Sequence, residues 1–128
     1  MTSSILIVDD NPVNLKLACD VLEASGFQIR RAADAEQAIL ILQREIPNLI
    51  LMDIALPGID GLSLTRLIKG DARLRHIPVV ALTAFAMKGD DQKAFDAGCS
   101  GYITKPIDTR RIAEQVETFL RRAESEDK

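Results

Sequence analysis

The sequence predicts an α/β fold in which a five-stranded parallel sheet is doubly wound, with helices on both faces. Two observations carry this expectation. Five short apolar runs alternate with five longer amphipathic stretches along the chain, the pattern of strands separated by helices. The third and fourth of these runs are apolar at nearly every position, as strands covered on both faces must be. Successive parallel strands need crossover helices, and the right-handed rule for those crossovers restricts the topology to a small doubly wound set.

The first strand is Ser4-Ile5-Leu6-Ile7-Val8, halted by Asp9-Asp10. Asn11 has a side chain suited to capping a helix, and Pro12 suits the first turn. Leu15, Ala18 and Leu22 then recur at helical spacing, Leu17 and Val21 widen the stripe, and Gly26 ends it. Phe27 to Arg31 reads as a second strand, more polar and therefore near an edge. Asp34 with Gln37 resembles a capping box ahead of Ala35, Ala38, Ile39 and Leu42. Pro47 closes that segment. Asn48 to Met52 is a third strand that runs into Asp53. Pro57-Gly58 marks a turn, after which Asp60 caps a third helix bearing Leu64, Leu67 and Ile68. Pro78 to Leu82 is a fourth strand running into Thr83. Met87 to Ala97 reads as a weaker helix with a thin apolar face of Met87, Ala94 and Phe95, stopped by Gly98. Gly101 to Thr104 is a short fifth strand ending at Lys105-Pro106. Asp108 caps a last helix striped by Ile112, Val116, Phe119 and Leu120.

A length of 128 residues fits one domain over 1–128, with 1–3 and the charged 123–128 expected to fray. The 47% of hydrophobic residues can fill a core on both sides of a sheet, and 27% charged residues exclude global disorder. Net charge is -3 with the basic residues dispersed, which argues against nucleic acid as a partner. No apolar run approaches the ~20 residues of a membrane span, and Met1-Thr2-Ser3-Ser4 lacks the pattern of a signal peptide. A cytoplasmic location is therefore expected. Cys19 and Cys99 then read as free thiols.

In an open parallel sheet, functional groups gather where the strands end, near the point where strand order reverses. The residues expected there are Asp9 and Asp10, Asp53, Thr83 and Lys105. Taken singly, each acid is an ordinary turn residue or helix cap, Thr83 a β-branched strand end and Lys105 a solvated loop lysine. Together they form a costly cluster, because gathered carboxylates repel unless a cation intervenes. A hard divalent cation with oxygen ligands, Mg²⁺ or Mn²⁺, meets that need. A carboxylate beside such an ion can attack phosphorus and form an acyl phosphate. Thr83 offers a hydroxyl and Lys105 an ammonium to the remaining phosphoryl oxygens. Asp53 is the better acceptor because it leaves a central strand, while the adjacent Asp9 and Asp10 suit metal binding.

Four segments carry a resemblance to the receiver domains of bacterial two-component response regulators. They are Ile7-Val8-Asp9-Asp10-Asn11, Leu51-Met52-Asp53-Ile54-Ala55-Leu56-Pro57-Gly58-Ile59-Asp60-Gly61, Ala81-Leu82-Thr83-Ala84 and Lys105-Pro106. The resemblance covers essentially the whole chain, and Pro78 to Asp90 is most similar to single-domain members. It implies the flavodoxin-like strand order 2-1-3-4-5 and no output domain. It implies that Asp10 ligates the metal directly, that Asp9 assists, and that the backbone carbonyl of Ala55 is a further ligand. Asp53 would take phosphate from a phosphohistidine of a histidine kinase or histidine phosphotransfer protein. Lys105 would pair with the phosphoryl group, and the Lys105-Pro106 bond would be cis. Thr83 would move toward the phosphate and Tyr102 would turn inward behind it, switching the face of the fourth helix, fifth strand and fifth helix for a protein target or a relay. The expected protein is a signalling switch that acts only on itself, not an enzyme, and a monomer or weak homodimer.

Ala55 and Phe85 flank the expected path of hydrolytic water, and neither side chain can orient it. Slow self-dephosphorylation is expected, with Ala55→Asn and Phe85→Glu faster than the parent in a phosphate-release assay; a parent half-life of seconds, with the variants no faster, would contradict it. His76 has the look of a phosphodonor, yet no kinase-type helix surrounds it, and it reads as an exposed loop residue. An aspartyl-phosphate phosphatase of the haloacid dehalogenase type would want an acid at Ala55 and a lid domain. A flavin carrier of the same fold would want a Ser/Thr-rich loop where Asp9-Asp10-Asn11-Pro12 stands, and a dinucleotide-binding domain would want a glycine fingerprint.

Overall fold

The computed structural model describes residues 3–54, 61–83, 90–105 and 107–126. Five strands, β1 (Ser4–Val8), β2 (Gln28–Ala32), β3 (Leu49–Asp53), β4 (Val79–Thr83) and β5 (Gly101–Thr104), form one parallel sheet in the order β2-β1-β3-β4-β5. Between and after them run α1 (Pro12–Ala24), α2 (Ala35–Arg44), α3 (Gly61–Gly70), α4 (Asp90–Ala97) and α5 (Ile112–Glu126). This is the doubly wound architecture that the sequence pattern requires. No helix among the described residues is long and apolar enough to cross a membrane.

The period-2 geometry of a strand sends alternate side chains to opposite faces, and β1 and β3 use both. Ile5, Ile7, Leu49 and Leu51 pack with Leu15, Ala18 and Leu22 of α1 and Ile112 and Val116 of α5. Leu6, Val8, Ile50 and Met52 pack on the other side with Ala35, Ala38 and Leu42 of α2, Leu64 and Ile68 of α3, and Ala94 of α4. Cys19 lies in the first cluster and Cys99 in the second, so the sheet separates two free, buried thiols. β2 is the polar edge strand: Ala32 alone is fully buried there, and Arg30 reaches out to Glu45 at 2.9 Å.

Helix starts follow the local signals. Asn11 Oδ1 accepts from the backbone N–H of Val13 and Asn14, with Pro12 at the first helical position. Asp34 Oδ1 accepts from the N–H of Gln37, whose own Oε1 accepts from the N–H of Ala33. That is one residue before the position of a reciprocal capping box. Asp108 opens α5 through a lead-in turn, accepting from Arg110 at Oδ1 and from Arg111 and Ile112 at its carbonyl. The expected Asp60 cap, the Pro57-Gly58 turn and Met87 lie outside the described residues.

Three apolar residues fall off the stripes to which the spacing assigned them. Leu17 and Leu67 are exposed, because Leu15, Ala18 and Leu22, or Leu64 and Ile68, already fill the inward arc and each outlier is turned about 100° from its neighbour on that arc, Ala18 or Ile68. Phe95 is also exposed, and its ring stands edge-on to Tyr102 of β5 with centroids 6.5 Å apart. Ala94 and Ala97 make the buried face of α4 instead.

Candidate functional site

Strand register brings the predicted residues to one edge. Val8 pairs with Met52, so the chain leaves β1 as Asp9 beside the end of β3, where Asp53 is the last residue. Asp53 is paired with Leu82, and Thr83 with Thr104, which places Thr83 and Lys105 next along the same edge. The Lys105 N–H donates to the Thr83 carbonyl at 2.7 Å. Carboxylate oxygens of Asp9, Asp10 and Asp53 all lie within 4.8 Å of one another. Asp9, Asp53 and Thr83 are buried and Asp10 is exposed. Ala55, Phe85 and Pro106, and with them the expected carbonyl ligand, the hydrolysis-tuning pair and the cis peptide, lie outside the described residues.

The Lys105 ammonium stands among the acids, with Nζ 3.0 Å from Asp9 Oδ2 and 3.2 Å from Asp53 Oδ2. Besides the phosphoryl contact expected of it, Lys105 thus serves as counter-ion to two buried carboxylates. Asp9 is held from its other side, where Oδ1 accepts from the N–H of Asn11 at 2.9 Å. Asn11 therefore caps α1 with its side chain and fixes Asp9 with its backbone.

One ammonium does not balance three carboxylates. Burial pushes the Asp9 carboxyl above its usual range; the Asn11 N–H and Lys105 pull it back without cancelling the shift, and Asp53 adds to it. Burial pulls the Lys105 ammonium down, but its contact with Asp9 and the charges of Asp53 and Asp9 outweigh this and raise it overall. The cation is over-compensated while Asp9 stays under-compensated. Asp9 Oδ2 is buried, faces the ammonium and accepts no aligned hydrogen bond. A clustered, oxygen-only donor set with more negative than positive charge among the described residues fits a hard divalent cation.

The fold, and a carboxylate cluster at the ends of its first and third strands, define a class of phosphorylatable signalling domain. Residues 5–117 match the response regulator receiver domain family, and the chain belongs to it. It is 47% identical over 120 residues to the polar-differentiation response regulator DivK of Brucella ovis, covering 94% of this chain and 98% of that protein. Among solved structures it is similar to a response regulator from Chloroflexus aurantiacus, with TM-score 0.90, 29% identity, and coverage of 94% of this chain and 99% of that one. It is also similar to the receiver domain of a sensor histidine kinase from Pseudomonas aeruginosa, solved with a magnesium ion coordinated in its active-site cleft. That likeness has TM-score 0.85 and 34% identity, and covers 94% of this chain and 98% of that one.

His76 is exposed in the loop before β4, at the opposite end of the sheet from Asp53. Tyr102 is on the outward face of β5 and partly exposed, against Phe95.

Proposed function

We propose that this receiver domain is a phosphorylation switch in which Asp53 accepts a phosphoryl group from a phosphohistidine on a histidine kinase or histidine phosphotransfer protein. The observation that carries this reading is the charge at the site, where among the described residues three carboxylates gather within 4.8 Å and one ammonium pairs with two of them. A group arranged this way is costly to the fold and favourable for holding a cation and a phosphoryl group. Asp10 and Asp53 would hold Mg²⁺, or Mn²⁺, with Asp9 assisting and the Ala55 carbonyl as a further ligand; such an ion would neutralise charge on the acceptor and the transferred group.

The chain's own residues supply the rest. A carboxylate oxygen of Asp53 attacks phosphorus in line, the P–N bond of the donor breaks, and the imidazole leaves and takes a proton from solvent. Lys105, at hydrogen-bonding range of Asp53 before transfer, moves its ammonium to a phosphoryl oxygen. The Thr83 hydroxyl donates to another. The displacement of Thr83 leaves room behind it for Tyr102, which turns in from its place beside Phe95 and changes the α4–β5–α5 face that a target or relay partner reads. The protein turns over no separate substrate; it acts on itself, with kinase and target as its protein partners. It acts in the cytoplasm.

Acetyl phosphate with Mg²⁺ tests the reading. One phosphoryl group should be gained, mapped by mass spectrometry to the peptide holding Asp53, and labelling should vanish in chelator. Labelling on His76, or uptake indifferent to chelator, would refute it.

A further inference from the structure

We propose that Gly61 is a positioning residue for the phosphoacceptor, because α3 begins in direct contact with the backbone that carries Asp53. The inference rests on the reading of Asp53 as the acceptor. Gly61 does not serve conformational freedom: the positive-φ glycines among the described residues are Gly26 and Gly98. It serves space. A Cβ at position 61 would meet the Asp53 carbonyl oxygen and stand 2.7 Å from Ile54 Cα and 2.9 Å from Asp53 C. All three are backbone atoms, and none can rotate aside as a side chain would.

Neither partner in this contact can retreat. Asp53 is paired with Leu82 across the ladder, and the next N–H, that of Ile54, donates to the Leu82 carbonyl at 3.3 Å. On the helix side, Gly61, Thr65 and Lys69 recur every fourth residue and share one face of α3. The fully buried Thr65 donates from Oγ1 to the Gly61 carbonyl at 2.7 Å, and Cys99 Sγ, in the turn before β5, donates to Thr65 Oγ1 at 4.0 Å. Lys69 donates from Nζ to the carbonyls of Arg75 at 3.0 Å and Ile77 at 2.6 Å, and its Cγ lies 2.7 Å from where a Cβ on Gly98 would be. The stripe thus fastens α3 to the approach to β4 and to the turn between α4 and β5. A methyl group at 61 wedges two fixed bodies apart at the point from which the nucleophile projects. In-line attack tolerates little such displacement, and about 1 Å can cost about 100-fold in rate.

The experiment compares Gly61→Ala with Gly101→Ala. A Cβ at 101 also enters filled space, 2.7 Å from Phe119 Cζ, but at the opposite end of the sheet and against a side chain that can yield. Both variants should melt below the parent. At a temperature where circular dichroism shows both folded, with acetyl phosphate and Mg²⁺, Gly61→Ala should lower the maximal phosphorylation rate about 10–100-fold. Half-saturation by the donor should not change, and the Asp53 and Ile54 amide resonances should shift. Gly101→Ala should leave rate and resonances at parental values. Thr65→Val removes the hydroxyl's bond to the Gly61 carbonyl without adding bulk; it should slow uptake about fivefold, with Thr65→Ser restoring it. That pair decides the matter should Gly61→Ala fail to fold. Parental rate and unmoved amides in Gly61→Ala, equal rate losses in both glycine variants, or parental uptake in Thr65→Val would overturn the inference. A parent that takes up no phosphoryl group would refute the acceptor reading instead, and the amide shifts would still decide the positioning role.

Discussion

Asp53→Asn is expected to abolish phosphoryl uptake while leaving the fold intact and the metal-free protein at least as stable as the parent. The two halves follow from one geometry. An amide is not a nucleophile toward phosphorus under these conditions, so the acyl phosphate cannot form. Asn nearly matches Asp in shape, so the buried end of β3 stays filled. The substitution removes one of three carboxylates gathered within 4.8 Å, and with it the charge that helps to push the Asp9 carboxyl up. The gain should be of the order of 1 kcal/mol in chelator, the usual sign when a group kept for function is neutralised. Stabilisation by Mg²⁺ should shrink in the same variant, since a ligand is lost. Mass spectrometry after acetyl phosphate treatment and urea denaturation with and without Mg²⁺ check both halves. Parental labelling would show that Asp9 or the exposed Asp10 is the acceptor. A loss of several kcal/mol would show that the Asp53 charge is held for its ion pair with Lys105.

Much of this site was legible before any coordinates, for a specific reason. A strand buried on both faces must be apolar throughout, so its termination on an acid stands out; that is how β3 announced Asp53 and β1 announced Asp9-Asp10. Parallel pairing then leaves these ends no choice but to meet at one edge. What stayed hidden depends on distances across the chain. Nothing in the spacing of Gly61 from Asp53 reveals that the two backbones touch, because the intervening loop has a free path in sequence. The role of Lys105 as counter-ion to Asp9 was equally invisible, since the pair joins the ends of β1 and β5 with β3 and β4 between them. Leu67 and Phe95 were misassigned because periodicity counts apolar residues within an arc and does not say when that arc is full. Lys69 escaped notice for the opposite reason: a charged residue on a helix reads as solvated, whereas its ammonium is occupied by two loop carbonyls.

Lys105→Met should destabilise the metal-free protein at neutral pH by about 3 kcal/mol, because it leaves two buried carboxylates without their cation. Met retains most of the alkyl length, so the loss is chiefly of charge. For a chain of this size that corresponds to a fall in Tm of roughly 12 °C. The pH dependence separates this cause from packing. The Asp9 carboxyl is raised in the folded state above its ordinary value of 3.8, so the folded protein binds its proton more readily than the unfolded chain does. Its contribution to stability is therefore fullest below that ordinary value and is lost as pH rises through the folded one. Without the ammonium the folded value climbs further and the window of loss extends upward. Lys105 itself, raised in the parent, stays charged throughout this range. The gap between parent and variant should accordingly be widest near neutrality and close toward pH 4 in chelator. Mg²⁺ should narrow it at neutral pH as well, because a divalent ion at the carboxylates replaces the missing charge and the variant, having no ammonium to compete, should bind the ion more tightly than the parent. Both proteins gain from the ion, so each tenfold difference in Kd narrows the gap by about 1.4 kcal/mol at saturation. A deficit that ignores both pH and Mg²⁺ would mean that Lys105 stabilises through its alkyl chain, and the charge imbalance on which the functional reading rests would have to be abandoned.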